Sequence, residues 1–332
     1  MPPVVHLINP LENFDGGSEW RTVELYKLLR SRAEVKVWSP STPDPRFLSE
    51  CPVQRISTQT GEFPVGGNMV FIGCYFYPGD WIHGSKSNRT ILNYNTLSPI
   101  PLSNAVPALS ALGPEVEFLY PSRIMQREAG YSGTVEPSII DLKRFHPRKI
   151  NEDEPRNFHI GRLSRDEPYK HHFDDAALYM RLAKEGCRVR IMGGTVLKPI
   201  LRGEGNIELI PSCAEQADEF LRGLACFYYR TGEKWFETGG RVVMEAMATG
   251  VPVVGHPRGG YVEWISHGQD GFLFDTQAEA LNIIRRLKSD LALRLAVGEA
   301  ARQKAVALFS RAALRKIIDF YLSPKPKMHS LR

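Results

Sequence analysis

Residues 225–260, ACFYYRTGEKWFETGGRVVMEAMATGVPVVGHPRGG, constrain the fold of this chain more than any other stretch. ACFYY is a short apolar run that suits a buried strand, and it ends in a polar loop. Gly239 and Gly240 then open a helix through Arg241, Val242, Val243, Met244, Glu245, Ala246, Met247 and Ala248, and Gly250 sits where a left-handed C-cap belongs. VPVVG follows as a second strand. Strand, loop, helix, strand places a helix N-terminus at the carboxyl end of a parallel strand, where open α/β sheets bind ligands.

Backbone N–H groups at Gly239, Gly240 and Arg241 are therefore expected to face an anion. Glu237 lies in the loop before them and Glu245 eight positions further on. If most of that interval is helical, the two carboxylates stand roughly 8 to 12 Å apart at 1.5 Å per residue. A nucleotide-sugar spans such a distance, with hydroxyls near each acid and its diphosphate between them. Carboxylates accept hydrogen bonds from vicinal hydroxyls, which suits Glu at both ends.

These residues resemble a known family. Glu237 and Glu245 reproduce the E-x7-E pattern of the retaining GT-B glycosyltransferases of family 4 (glycosyl transferases group 1), and EAMATGVPVVG with RGG is similar to that family's continuation. The resemblance implies an α/β fold of two Rossmann-like domains facing a central cleft, with a C-terminal helix crossing back to the first. It implies that Glu237 holds the donor sugar hydroxyls, that amides from Gly239 and Gly240 to Arg241 and Val242 contact sugar and phosphate, and that Glu245 holds the ribose. One departure stands out: the family's Gly-Phe-Gly-Leu reads Thr238-Gly239-Gly240-Arg241 here, with an Arg where an apolar side chain is common.

The same resemblance extends over most of the chain. PVVHLIN (3–9) reads as a strand, and Ser18 as the cap of a helix from Glu19 to about Arg32. Gly16 and Gly17 then occupy a strand-to-helix turn where backbone approaches a phosphate closely, similar to the family's glycine loop. Strands recur at 35–38, 53–56, 69–76, 90–94, 117–120 and 134–140, without a G-x-G-x-x-G fingerprint. Asn95 aligns with a His that lies near the donor sugar in the family, with Asn93 as the alternative register. Asn hydrogen-bonds a hydroxyl but does not titrate, so this position is not a general base. His6 and His83 read as structural.

FLYPSRIMQREAGYSGTVEPSIIDLKRFHP (118–147) resembles the family's exit from the first domain, with Asp141, Phe145 and Pro147 in register. The charged stretch RKINEDEPRN places the boundary near residue 150. The expected organisation is 1–150, an acceptor-side domain; 151–309, a nucleotide-sugar domain; and 310–332, a returning helix with a basic tail. In the second domain, Arg162 follows a strand and Lys170 closes its loop, similar to the two cations that neutralise the donor diphosphate in the family. A leaving nucleoside diphosphate gains charge, and fixed cations stabilise it without a metal. His171-His172 replaces the usual Gly after the Lys, so Arg165 is a candidate for part of the Lys170 role. Leu314, Ile317, Ile318 and Tyr321 form one stripe of the last helix.

The chain has 332 residues, enough for two cores. No apolar run reaches the roughly 18 residues that cross a bilayer, and MPPVVHLINP opens on a strand rather than a basic leader. The expectation is a cytoplasmic protein. Five scattered cysteines without a CxxC pair read as reduced. A net charge of +5, with the PKPKMHSLR tail and Arg285-Arg286-Lys288, leaves room for peripheral contact with an anionic membrane, while no motif points to nucleic acid. No D-x-D, metal cluster, Walker A loop or G-x-S-x-G elbow occurs, so no metal or other cofactor is expected.

The expected partners are a nucleotide-sugar donor and a saccharide, lipid-linked or small-molecule acceptor. Two other readings stay open: an epimerase or phosphorylase of related fold, and a non-catalytic sugar-nucleotide-binding subunit, the latter motivated by Asn95 and the altered Lys loop.

Overall fold

The computed structural model of this chain describes residues 2–97, 102–148, 158–201 and 205–323. The basic tail and nearly all of the charged linker named above lie outside them. The chain forms two compact units, residues 1–139 with 310–332, and residues 140–309.

In the first unit, β1 (Val4–Ile8), β2 (Glu34–Ser39), β3 (Val53–Arg55), β4 (Asn68–Ile72), β5 (Arg89–Asn93), β6 (Val116–Tyr120) and β7 (Thr134–Val135) form one sheet in the order β3-β2-β1-β4-β5-β6-β7. Neighbouring strands are parallel throughout. The order reverses between β1 and β4, the switch point of a doubly wound sheet. β4 and β5 are buried along their whole length, as strands covered on both faces must be. Among the described residues up to 139, the α-helices are α1 (Gly17–Leu29), α2 (Leu102–Ser110) and α3 (Arg123–Ala129).

Three local expectations change. The strand expected over 69–76 ends at Ile72, where Gly73 follows at φ +84°. α1 begins at Gly17, with Gly16 rather than Ser18 as its N-cap, because the Ser18 hydroxyl is spent on Glu19 Oε2 and Tyr75. The strand expected over 134–140 stops at Val135. Pro137 has no N–H to give a ladder, and the Glu136 carboxylate turns instead to Arg21 Nη2 at 2.6 Å.

The second unit contains β8 (His159–Leu163), β9 (Arg188–Met192), β10 (Ile207–Ile210), β11 (Cys226–Tyr229), β12 (Val253–Gly255) and β13 (Phe272–Leu273), again all parallel, in the order β10-β9-β8-β11-β12-β13. Its switch point lies between β8 and β11. Its helices are α4 (Asp175–Lys184), α5 (Lys198–Leu201), α6 (Ala217–Arg222), α7 (Arg241–Ala248), α8 (Gln277–Ser289) and α9 (Leu291–Leu308). Thr276 and Asp290 cap α8 and α9 by accepting from the N–H groups of Glu279 and Leu293. Tyr179, Leu182, Ile191, Tyr228, Val254, Phe274 and Ile284 are part of its core.

Asp141, Phe145 and Pro147 pack within this second unit. Arg302 of α9 donates to the carbonyls of Phe145 and Ala248 at 2.7 and 2.6 Å, and Pro147 lies against Gly250. The compact second body thus begins at residue 140, ahead of the charged linker.

After α9 the chain returns to the first unit as α10 (Arg311–Leu322), capped by Ser310. Leu314, Ile317, Ile318 and Tyr321 pack on the core that includes Val5, Leu25 and Val70. Asn68 Nδ2 donates to the Tyr321 carbonyl at 2.9 Å, and the Tyr321 hydroxyl reaches Glu136 at 3.0 Å.

Candidate functional site

The second unit carries the denser cluster, at the carboxyl ends of β8 and β11. Arg162 is the fourth residue of β8 and is almost completely buried. Its Nη1 and Nη2 donate to the carbonyls of Arg230 and Lys170, and its guanidinium lies 4.8 Å from the Tyr229 ring centroid. Arg162 is therefore a buried charge that ties the strand ends to the following loop. Its Nε is its one donor without a partner among the described residues.

The loop after β8 is pinned in several places. Asp166 accepts from Thr195 Oγ1 and from the Val196 N–H at 3.0 Å. His171 Nε2 meets the Gly193 carbonyl at 2.7 Å, and burial, then the Arg162 charge, lowers the His171 pKa to about 3, so the ring is neutral. The residue that replaces a glycine here thus closes the loop onto β9. Arg230 donates to Asp175 Oδ1 at 3.0 Å, which steadies the carbonyl that Arg162 uses.

Lys170, at the end of this loop, places Nζ 2.8 Å from Glu237 Oε2. The same oxygen accepts from the Tyr229 hydroxyl at 2.8 Å and from Trp235 Nε1 at 3.4 Å. Burial alone would raise the Glu237 pKa; the Lys170 charge and the three hydrogen bonds outweigh it and hold the carboxyl below its usual range. Burial, with Arg165 and Arg162 nearby, lowers the Lys170 pKa against the pull of Glu237. Burial raises the Tyr229 pKa well above its usual value, so its hydroxyl stays a donor. All three donors converge on Oε2, and no donor among the described residues reaches Oε1.

Aromatic rings wall this ion pair. Trp235 lies 4.7 Å from Tyr169 between centroids, and Lys170 Nζ stands 4.5 Å from the Trp235 ring. Arg165 is half-buried, 5.8 and 5.9 Å from the Tyr169 and Trp235 rings, more accessible than Arg162 or Lys170. Motif reading passed over Tyr169, Tyr229 and Trp235. The available signal was the aromatic pair closing ACFYY and the Trp two places before Glu237.

Beyond Glu237 the chain turns into α7 through Gly240, at φ +66°. A Cβ there would lie 2.6 Å from Tyr261 Cβ, so both conformation and space call for glycine. Gly239 is half-buried before it, and Arg241 and Val242 form the first turn. Arg241 Nε pairs with Glu245 Oε1 at 2.8 Å across one turn. The Glu237 backbone is fixed by Gly260, whose N–H donates to its carbonyl at 2.7 Å.

The remaining site residues are in the first unit. Gly16 caps α1, and a Cβ on it would fall 2.0 Å from Glu19 Oε2, so the close approach it allows is made by that carboxylate, a negative charge where the sequence placed a phosphate. Gly17 opens α1 with free space around it. Asn95 lies beyond the end of β5, half-buried, its N–H bonded to the Asn93 carbonyl at 3.1 Å. Asn93 is fully buried, and its amide oxygen, in the orientation that satisfies both groups, accepts from Arg21 Nη2 at 3.0 Å, a structural role. His6 is structural too: Nδ1 accepts from Trp38 Nε1 at 2.9 Å, and burial lowers its pKa to about 4.

Residues 142–304 match the family model of glycosyl transferases group 1. That span holds Arg162, Arg165, Lys170, Glu237, Gly239, Gly240, Arg241, Val242 and Glu245; Gly16, Gly17 and Asn95 fall outside it. Among curated proteins none matches the chain by sequence. Solved structures match over nearly the whole length. HepE of Anabaena in complex with UDP-glucose is 15% identical, with a TM-score of 0.72 over 97% of this chain and 100% of its own. A glycosyltransferase from Rickettsia africae gives 14% and 0.73 over 96% and 98%, and sucrose-phosphate synthase from Thermosynechococcus elongatus 14% and 0.69 over 96% and 98%. The likeness establishes the fold: two Rossmann-like α/β domains, as in GT-B glycosyltransferases.

Among the described residues, no group of three or more His, Cys, Asp or Glu is placed to hold a metal ion, and no helix is long and apolar enough to cross a membrane. The five cysteines are unpaired, and only Cys213 is exposed.

Proposed function

We propose that this chain is a retaining, metal-independent family 4 glycosyltransferase that moves a sugar, a hexose or close relative, from a nucleotide-diphosphate sugar to a hydroxyl acceptor. The observation that carries the reading is Glu237, an ionised carboxylate whose Oε2 is saturated by Lys170, Tyr229 and Trp235 while Oε1 is left for a ligand hydroxyl, four residues before a glycine-capped helix N-terminus. The family match over 142–304 supports it, as do structural neighbours described with UDP and UDP-glucose.

In this reading the sugar hydroxyls bind Glu237, the diphosphate lies at the amides of Gly239 to Val242, and the ribose reaches Glu245. The acceptor hydroxyl attacks the anomeric carbon on the face the diphosphate leaves. The bond between that carbon and the phosphate oxygen breaks with its electron pair going to the nucleoside diphosphate, and a phosphate oxygen takes the acceptor proton. Lys170 and Arg165 supply positive charge to the leaving group, and Arg162 holds their loop to the strand ends. No side chain acts as nucleophile, and no cofactor takes part. We place this reaction in the cytoplasm, with peripheral contact between basic residues of the chain and an anionic membrane.

The test is a thermal-shift and calorimetric screen of UDP-, GDP-, dTDP- and ADP-sugars with EDTA present, UDP-glucose first, comparing wild type with Glu245→Ala. Selective stabilisation by one nucleotide, weakened in the variant, is expected; a ligand at 100 times its Kd adds about 2.7 kcal/mol. Stabilisation by none of them refutes donor binding. Binding without transfer to any acceptor extract supports the non-catalytic subunit instead.

A further inference from the structure

The first unit contains a cavity that the donor chemistry does not use. It has a volume of about 190 Å³ and opens where the carboxyl ends of β4 and β5 meet α2. Phe71 and Leu92 come from the strands, Phe76 and Tyr77 from the loop after β4, and Ala105 and Ala108 from one face of α2. The alanines, three apart on the helix, leave the room that larger side chains would fill. Among the described residues Asn104 is the one amide in the lining, and none of them brings a charged side chain into it.

Its neighbour is polar. Gly73 lines the cavity, and a Cβ on it would fall 2.4 Å from the Tyr75 ring. The Tyr75 hydroxyl reaches away to Asn9 Nδ2 at 3.1 Å, Ser18 at 2.9 Å and Glu19 Oε1 at 3.1 Å, at the switch point between β1 and β4. One loop, Gly73 to Pro78, therefore separates an apolar hole from a hydroxyl-and-carboxylate cluster. Ligands of open α/β sheets bind at this end of the strands.

We propose that this cavity takes the hydrocarbon tail of an amphipathic acceptor, a single uncharged alkyl or aryl group, while the acceptor's hydroxylated end lies toward Tyr75, the half-buried member of the polar cluster. The proposal rests on the glycosyltransferase reading and names its acceptor class. Size selects a small group: an apolar cavity of about 150 Å³ admits benzene, so this one holds about six to eight carbons. The uncharged side chains that the described residues give the lining disfavour a bare saccharide or a phosphate, each of which would lose its hydration without replacement partners.

The probes are n-alkyl β-glucosides from methyl to octyl, and benzyl β-glucoside, titrated by calorimetry against the full chain. Affinity should rise about fourfold per methylene and level off near about six carbons. Benzyl binding as tight as hexyl would identify an aryl tail as an equal source of the same chemistry, and weaker benzyl binding an alkyl one. Ala108→Phe and, independently, Ala105→Leu fill the cavity and should flatten the series while UDP-sugar binding is kept. A flat series in the wild type with nucleotide-sugar binding intact overturns the cavity and leaves the glycosyltransferase reading standing. Chain-length dependence that survives in both filled variants also overturns it. Chain-length dependence in a protein that binds no nucleotide-sugar keeps the cavity but removes its assignment to a glycosyl acceptor.

Discussion

Lys170→Met tests the electrostatic logic of the site. The Lys170 and Glu237 side chains are only 10% and 14% exposed, so water screens little of their attraction and equally little of what remains when one partner is removed. Breaking such a pair costs about 3–5 kcal/mol. Tyr229 and Trp235 still donate to Glu237 in the variant, which puts the expectation at about 3 kcal/mol, roughly 150-fold in the unfolding constant. The pH dependence has a definite sign. In the wild type the folded Glu237 pKa is depressed, so its contribution is present above the unfolded value and is lost as pH falls through the folded one. In Lys170→Met burial is no longer opposed by the Lys charge and the folded pKa rises above the unfolded value of about 4.3. The penalty then grows with rising pH and saturates above the raised value. Urea unfolding at pH 7.5 and pH 5 should therefore show a gap between wild type and variant that narrows at the lower pH. The double variant Lys170→Met/Glu237→Gln should recover at least half of the loss, because a neutral amide needs no counter-charge. A gap independent of pH, or a double variant as unstable as the single, refutes the reasoning.

Gly240→Ala should cost about 2 kcal/mol or more, from the left-handed conformation and the Tyr261 clash together; Gly130→Ala, at φ +74° with open space around it, should cost about 1 kcal/mol in the same melts. Arg162→Ala strands the Arg230 and Lys170 carbonyls and should lose about 2–4 kcal/mol along with nearly all transfer, whereas Glu237→Ala should lose transfer with a folded protein, as read by turnover and circular dichroism. His6 and His171 have folded pKa values near 4 and 3, below the unfolded 6.5, so the unfolded chain protonates first and stability falls as pH drops below 6.5; His6→Gln should flatten that slope in urea melts. Arg241→Leu removes the partner that holds Glu245 Oε1 and should tighten nucleotide-sugar binding about fivefold by calorimetry.

Local chemistry was legible in the sequence and convergence was not. The switch from an apolar run to a glycine turn to a helical period marks β11, α7 and β12, because each is decided by neighbours within a few residues. The stripe Leu314, Ile317, Ile318, Tyr321 announced α10 in the same way. What closes the site is contributed from positions 67 or 68 residues apart, Lys170 on Glu237 and Arg162 on the Arg230 carbonyl. Spacing along the chain carries no trace of that. It also hid that Arg162 is buried, since a cation after a strand reads the same whether it faces a ligand or two carbonyls. Ser18 misled for a related reason: a hydroxyl before a helical period reads as a cap, and only the fold brings Tyr75 to share that hydroxyl with the adjacent Glu19.

Arg241 shows how one substitution in a motif changes the physics of its neighbours. A positive side chain in the first turn of α7 opposes the positive end of the helix dipole, and the pair with Glu245 one turn later offsets that cost. The Glu245 carboxylate is thereby already engaged, and on the proposed reading, in which it meets a ribose, a bound nucleotide would have to share it or displace the guanidinium. Where an apolar residue stands at this position, Glu245 would meet the ligand without that competitor. On that reading donor affinity would be the difference between two hydrogen-bonded states of one carboxylate, so a weak ground-state Kd would be compatible with an intact site. The discriminating quantity is the change in Kd on removing Arg241, set against Glu245→Ala. If Glu245 holds the ribose, the two substitutions move the affinity in opposite directions; if it serves only to neutralise Arg241, neither moves it.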